Sequence, residues 1–499
     1  MADVCKNYIG GKWVEAQGGE TFVSINPANK DEAVGIFQRS KTDDVVAAID
    51  AAHAAFHAWS RTPAPGRAEI VLRVGLLLEE HKEELAILET REMGKVLDEG
   101  RGDVQEGIDM AKYIAGEGRR LFGETVPSEL RSKFAMMVRQ PLGVVGLITP
   151  WNFPIAIPTW KIFPALVSGN SIVFKPAEDT PACATKLVEL LEEAGLPGGV
   201  LNLVTGYGLE AGAPIVEDER VRMISFTGSS AVGREIAAKA GRTLKKVMLE
   251  LGGKNAMIVM PDASLDLALE GALWGAFGTT GQRCTATSRI ILHEDIADEF
   301  TGKLVEHASK LRVGPGLDPD NEVGPLINEK QLQTVDNYTR VARQEGADIL
   351  LGGHILTGEV YNKGFFYAPT IFGNVHYRMR VAQEEIFGPS VAIMPVKSYE
   401  ESVQVANSTQ FGLSSSIYTQ DVNTAFRAIQ DLDAGITYVN APTIGAEIQL
   451  PFGGVKSTGN GHREAGTNAV REFTEPKAVY IDYSGKLQRA QLDVEQHGA

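Results

Sequence analysis

The sequence predicts an α/β protein with two doubly wound parallel-sheet domains and a small β segment outside them. Three observations predict it. Short β-rich runs alternate with helical runs between 171 and 250. A second alternation runs from about 255 to 440. Two further β runs, FAMMVRQPLG (134–143) and KAVYIDY (477–483), belong to neither. Strand–helix–strand alternation is the pattern of a parallel sheet covered on both faces.

The elements run in order. DVVAAIDAAHAAFHAW (44–59) and residues 66–90 carry apolar residues at helical three-and-four spacing. SIVFK (171–175) reads as a strand. Asp179-Thr180-Pro181 reads as a helix start, with Pro at an allowed first-turn position. Cys183, Leu187, Leu190, Leu191 and Ala194 fall on one face of that helix, and Gly195 stops it. LNLVT (201–205), MISFT (223–227) and KKVMLE (245–250) continue the strands, with a helical segment after the first and the helix GSSAVGREIAAKAG after the second. AMIVM (256–260), RIILH (289–293), SVAIMPV (390–396) and GITYVN (435–440) are the strands of the second alternation. The last sixteen residues are mostly polar and read as a tail or as a segment lying on a neighbour.

At 499 residues the chain holds about three domains, or two large ones. Lys and Arg number 48 against 64 Asp and Glu, a net charge of −16 that argues against nucleic acid or a membrane surface as partner. Three scattered cysteines, Cys5, Cys183 and Cys284, suit a reducing compartment, hence the cytoplasm, and not a disulfide framework. The start MADVCKNYIGGKWVEA lacks a basic stretch followed by an apolar run, so no signal peptide is expected. No run of eighteen apolar residues predicts a membrane span. His53 and His57 lie four apart, but no Glu follows His53 and no third ligand is evident. They read as a solvated helix face, and no metal is expected.

The candidate chemistry begins at TTGQRCTATSR (279–289). Cys284 there is either a small buried apolar residue or a nucleophile whose thiolate the adjacent Arg283 favours. FTGSSAVG (226–233) is either a tight turn or a helix N-terminus whose bare amides receive a pyrophosphate. KPAE (175–178) places a Lys and a Glu where ribose hydroxyls could be held. Order and company decide. WNFP (151–154), KPAE, FTGS, ELGGKN (250–255), GQRC (281–284), EEIFGP (384–389) and PFGG (451–454) occur in that sequence, Asn152 to Lys175 spanning 23 residues and Glu250 to Cys284 spanning 34. The whole chain resembles the aldehyde dehydrogenase superfamily.

That resemblance implies a mechanism and a cofactor, NAD with NADP as the alternative. Cys284 attacks the aldehyde, and Asn152 with the Cys284 backbone amide holds the oxyanion. Glu250 is the general base for hydrolysis of the thioester. Glu464 of REAG is either a proton relay or an ordinary helix-start carboxylate. Lys175 and Glu178 fall where the adenosine ribose is held, and Gly228, Ser229 and Gly233 fall at the pyrophosphate turn. Glu385 and Phe387 fall at the nicotinamide ribose, and Trp151 and Leu251 complete the cofactor set. Phe153, Trp160 and Phe452 match aromatic positions of a substrate tunnel. NAPTIGAEIQLPFGG (440–454), DVQE (103–106) and IDYS (481–484) resemble the α-aminoadipic semialdehyde dehydrogenase branch, although Ile444 and Gln449-Leu450-Pro451 depart from it. Bacterial α-ketoglutaric semialdehyde dehydrogenases are also similar. Both imply a semialdehyde substrate met by Glu106, Arg283, Thr285, Gly445 and Ala446. In this reading, 1–121 with 143–252 forms the NAD(P)-binding domain and 253–465 the catalytic domain. Residues 122–142 and 466–499 form oligomerisation segments of a homodimer or homotetramer. The alternatives are a cofactor-independent thiol hydrolase and a catalytically silent binding protein. The cofactor motifs argue against the first, and intact Asn152, Glu250 and Cys284 against the second.

Overall fold

In the computed structural model, which describes residues 4–492, the chain opens with two antiparallel hairpins. These are β1 (Asn7–Ile9) with β2 (Lys12–Val14), and β3 (Thr21–Asn26) with β4 (Asn29–Gln38). Four helices come next: α1 (Thr42–Arg61), α2 (Ala64–Glu80), α3 (Lys82–Met93) and α4 (Leu97–Glu117). The stretch 66–90, which reads as one helical pattern, is therefore two helices broken at His81. The break falls in a charge-dense run, where Glu83 and Glu84 are stabilised in the first turn of α3. His53 and His57 are exposed on α1.

β5 (Glu124–Val126) and β6 (Lys133–Pro141) form a separate hairpin. Then comes β7 (Val144–Ile148), followed by α5 (Ala156–Ser168), β8 (Ser171–Lys175), α6 (Pro181–Glu193) and β9 (Leu201–Leu203). A π-helical turn and α7 (Ala213–Glu217) lead to β10 (Val221–Thr227), α8 (Ser230–Gly241) and β11 (Lys246–Glu250). All five residues of β8 are buried, as expected of a strand covered on both faces. On α6 the expected apolar face is the buried one, and Gly195 follows with φ +87, a conformation that costs glycine little. The first sheet has the order β11-β10-β7-β8-β9-β1-β2. It is parallel from β11 to β9 and closes with β1 and β2 antiparallel. One buried cluster joins its strands to α2, α4, α5 and α6, and another joins them to α1, α7 and α8. Sequence patterning does not single out VVGLI (144–148), yet it is the inner strand β7, paired with β10 and β8.

The second sheet comes from the rest of the chain: β12 (Asn255–Val259), α9 (Leu265–Phe277), β13 (Thr287–His293), β14 (Asp348–Leu351), β15 (Thr370–Gly373) and β16 (Ser390–Val396). β17 (Phe411–Gly412), β18 (Ser414–Tyr418), β19 (Ile436–Val439) and β20 (Val455–Lys456) complete the strands of this part. Its order is β14-β15-β16-β13-β12-β18-β19, with only β14 antiparallel to its neighbour, while β17 pairs with β20 separately. The protein is thus α/β with two doubly wound sheets. Antiparallel edge strands, which alternation alone does not reveal, close one end of each. β21 (Thr474–Asp482) pairs along its whole length with β6, so the two β runs outside the alternations meet in a third, three-stranded sheet. Residues 493–499 of the polar C-terminal stretch lie outside the described residues. No described helix is long and apolar enough to cross a membrane.

Candidate active site

In open parallel sheets, ligands bind beyond the carboxyl ends of the strands. β7 runs out towards Trp151 and Asn152, β8 towards Glu178, β10 towards Gly228 and Ser229, and β11 ends on Glu250. A cleft of about 520 Å³ lies there. The structure brings Trp151, Asn152, Glu178, Gly228, Ser229, Leu251, Cys284, Glu385 and Phe387 together on its wall.

The turn after β10 suits a phosphate group. Ser229 caps α8, its hydroxyl accepting from the Val232 N–H. The hydroxyls of Thr227 and Ser230 on either side are buried and have no partner. Unpaired buried hydroxyls at a helix N-terminus leave donors for an anion. Glu178 stands at the cleft with its side chain 38% exposed, free to accept from ribose hydroxyls. Two predicted cofactor residues lie elsewhere. Lys175 is buried and does not line the cleft; its ammonium donates to the Pro176 carbonyl (2.7 Å) and sits 3.4 Å from Glu178 Oε2, so it supports the carboxylate from behind. Gly233 meets no cleft either. A side chain there would strike Leu251, so this glycine lets α8 approach the chain after β11.

At the other end, Glu385 Oε1 accepts from the Gly253 N–H (3.0 Å), and its carboxylate rests where a side chain on Gly252 would have to be. Burial pushes this carboxyl up to about 7, with the Gly253 N–H and Lys254 acting against it. The Phe387 ring meets Trp151 edge-on at 5.3 Å. Gln331 donates to the carbonyls of Ile386 and Phe387 and lines the cleft with Asn328. Neither belongs to a motif, and no sequence signal marks them.

Cys284 is half-buried at the cleft. Asn255, the last residue of ELGGKN, donates to the carbonyls of Cys284 (2.8 Å) and Ala286 (2.9 Å) and so fixes the backbone around Cys284. Asn152 donates from Nδ2 to the Gln282 carbonyl (3.0 Å), which orients its amide beside the thiol's turn. Burial pushes the Cys284 thiol up to about 12, reinforced by Glu385 and Glu250 and opposed by the backbone N–H groups of Thr285 and Cys284. The expected support of the thiolate by Arg283 is therefore absent. The Arg283 guanidinium points away, donating to Thr279 Oγ1 (2.8 Å) and Glu99 Oε1 (3.4 Å).

Glu250 is buried, and neither carboxylate oxygen has a partner. Burial, then Glu464, push it well above the usual carboxylate range, against Lys161 and Arg463. One of its oxygens lies over Gly453 of PFGG, where a side chain would exclude it. Glu464 precedes a short helix, yet it is no solvated helix-start residue. It is buried and ion-paired with Lys161, whose ammonium also donates to Ser225 (2.9 Å). Lys161 sits inside an apolar helical pattern, and nothing in the sequence marks it as a site residue.

Among the substrate candidates, Trp160 and Phe452 pack at 5.0 Å. Phe153 lies under Arg283 at 5.2 Å, and Arg283 also covers Trp274 at 5.9 Å. Burial, then Asp103, push the Glu106 carboxyl up to about 8, while Arg283 and Lys95 oppose. Thr285 is buried, its carbonyl accepting from Thr443 (2.7 Å), which ties the 440–454 loop to the turn at Cys284. Gly445 takes φ +99 opposite Trp274, and Ala446 beside it is half-buried. Tyr438 is a site residue that no motif announces. Its hydroxyl is buried without a partner, and Glu447, Glu106 and Cys284 all act on it. Because Arg283 is committed to Thr279 and Glu99, Arg283→Ala should lower turnover of acidic and simple aliphatic aldehydes by similar factors. A KM effect confined to acidic substrates, measured on paired aldehyde panels, would contradict this.

A cleft beyond the ends of parallel strands that joins a helix N-terminus to a thiol suits a dehydrogenase working through cysteine. The aldehyde dehydrogenase family matches residues 13–479, and the chain belongs to that family. It is 42% identical to α-ketoglutaric semialdehyde dehydrogenase of Bacillus subtilis, over 95% of this chain and 97% of that one. It is 43% identical to α-ketoglutarate semialdehyde dehydrogenase of Haloferax volcanii, over 97% of this chain and 100% of that one. A crystal structure of betaine aldehyde dehydrogenase from Staphylococcus aureus in complex with NAD+ is 36% identical. It superposes with a TM-score of 0.95, covering 97% of this chain and 96% of that one.

Proposed function

We propose that this aldehyde dehydrogenase oxidises a semialdehyde to the carboxylic acid through a thioester on Cys284, with NAD as hydride acceptor. The carrying observation is that Cys284 and Asn152 share one cleft with Glu178, Ser229 and Glu385. The unpaired Thr227 hydroxyl and the turn at Gly228 and Ser229 fit the cofactor's phosphates, Glu178 its adenosine ribose and Glu385 its second ribose. When bound, NAD supplies the hydride acceptor. The chain's own residues do the rest. Cys284 attacks the carbonyl carbon, and its proton leaves to solvent or to a base. Asn152 and the Cys284 N–H stabilise the oxyanion. Glu250, once ionised, takes a proton from the water that attacks the thioester. Glu464, ion-paired with Lys161 and close enough to raise the Glu250 carboxyl, is the group proposed to receive that proton next. The relatives' names, together with half-buried Glu106 and Tyr438 near Cys284, support a polar group at the far end of the substrate. Absorbance at the NADH band on adding NAD and an aldehyde panel tests the reading. No signal with any semialdehyde would overturn it.

NAD is expected to be preferred over NADP, because the Glu178 carboxylate repels a 2′-phosphate. Glu178→Gln should narrow the ratio of kcat/KM for the two cofactors, and equal efficiencies in the parent enzyme would remove this role. The division at 1–121 with 143–252 and 253–465 is part of the same reading. So is assembly through the third sheet, which exposes Phe134, Val126, Tyr480 and Ile481 and suits a homodimer or homotetramer. A reactive thiol nucleophile and scattered cysteines support the cytoplasm as its compartment.

A further inference from the structure

Thr279 and Thr280, just ahead of the nucleophile, both hold left-handed backbone, with φ +52 and +57. β-Branched residues rarely adopt it, and such strain persists only where surrounding structure enforces it. Four hydrogen bonds enforce it here. The Thr279 N–H donates to Glu99 Oε1 at 2.6 Å. Arg283 donates to Thr279 Oγ1 and to the same Glu99 oxygen. Thr280 Oγ1 donates to the Gly324 carbonyl at 3.0 Å. Gly278, without a side chain, leaves room for the Glu99 carboxylate. Glu99 lies in the first turn of α4 with only 14% of its side chain exposed.

The same segment of chain reaches the other half of the site. Lys95 and Asp103, fully buried, pair at 3.0 Å, and Lys95 also pairs with Glu89 at 2.6 Å. Burial, then Asp103, push the Glu89 carboxyl well above its usual range. Asp103 Oδ1 accepts from the N–H of Ala156, the first residue of α5, at 2.6 Å. The Lys95 ammonium lies 3.9 Å from the centre of the Phe153 ring. Phe153 and Ala156 follow Asn152 in the turn that leads into α5. A buried ion pair is seldom the cheapest way to fill a core, so stability alone explains this cluster poorly.

We propose that residues 95–103 form a brace that sets the position of Cys284 relative to Asn152, with Glu99 and Asp103 as positioning residues. The inference rests on the roles given to Cys284 and Asn152 under the proposed function. Glu99 holds the strained turn that aims the thiol. Asp103, fixed by Lys95, holds the start of α5 and with it the amide that meets the oxyanion.

The test compares Glu99→Ala, Glu99→Gln, Glu99→Asp and Asp103→Ala in the full-length enzyme. It measures kcat, KM for NAD, the NADH burst amplitude as a count of competent sites, and the rate of Cys284 alkylation. A misplacement near 1 Å costs about 10²-fold in rate, so kcat per competent site should fall about 10- to 100-fold in both alanine variants. KM for NAD and alkylation should stay within about threefold, since neither needs the thiol and amide aligned. Glu99→Gln keeps an acceptor for the Thr279 N–H and should recover most of kcat. Glu99→Asp keeps the charge but is one methylene short, so it folds and still loses about tenfold. Should Glu99→Ala fail to fold, the Asp and Gln pair decides alone. Full kcat per competent site in Glu99→Asp, or losses that follow burst amplitude alone, would overturn the brace. A Cys284→Ala enzyme that keeps turnover would instead overturn the reading of the site itself.

Discussion

Cys284→Ala is expected to lower aldehyde oxidation by more than about 10³-fold, because Cys284 is the one thiol among the described residues that line the cleft and only a thiol leaves a thioester. The cofactor should still bind, since Glu178, Ser229 and Glu385 are untouched. Equilibrium binding of NAD alongside steady-state rates checks both halves. A variant retaining a tenth of parental turnover would remove Cys284 as nucleophile. The pH dependence of the parent thiol is set by its surroundings. Burial and two carboxylates place it at about 12, so without cofactor the thiol is neutral at pH 7. Its thiolate fraction then rises about tenfold with each pH unit until that value is reached. Alkylation of the unliganded enzyme by iodoacetamide should therefore climb from pH 7 to 10 without levelling. A plateau below pH 9 would mean that Arg283 or another cation does reach the sulfur.

The second large effect is expected at Glu250. Removing a general base costs about 10²–10⁴ in rate. Glu250→Gln should release one NADH per site in a rapid burst and then turn over very slowly. Burial and Glu464 hold the Glu250 carboxyl well above its usual range, so it is neutral at low pH and must ionise to act. Parental kcat should accordingly fall as pH drops through that raised value, and the Gln variant should lose this acidic limb. Stopped-flow absorbance at several pH values reads both. If the burst vanishes as well, Glu250 also deprotonates Cys284, and the division of roles changes.

The legible part of this protein is the part written in short range. Alternating strands and helices predict two parallel sheets, because period-two and three-and-four patterns are local properties of the chain. Parallel strands all point the same way, so the turns at their carboxyl ends gather along one edge of the sheet. That is why WNFP, KPAE, FTGS and ELGG, each just after a strand, contribute residues to one cleft. Gly252 and Gly453 stand inside ELGG and PFGG, but the carboxylates they leave room for, Glu385 and Glu250, come from distant segments. The antiparallel edge strands β1, β2 and β14 are not legible, since alternation records neither strand direction nor what pairs at an edge.

What tertiary structure alone decided is where long side chains go and which charges lose water. Arg283 adjoins Cys284 in sequence, yet its guanidinium is drawn to Glu99, 184 residues away. Glu464 reads either as a proton relay or as a helix-start carboxylate, and only the fold brings Lys161 to it across 303 residues. Lys175 keeps its motif neighbour Glu178, but burial puts it behind the carboxylate and not in the cleft. Residue order thus determined which motifs meet at the cleft, because backbone geometry over a few residues places them. The protonation of Cys284 and Glu250, and the partners of Arg283 and Glu464, depend on desolvation and on charges brought in by distant segments. No spacing in the sequence encodes these, because they arise only when the two sheets close on the same site.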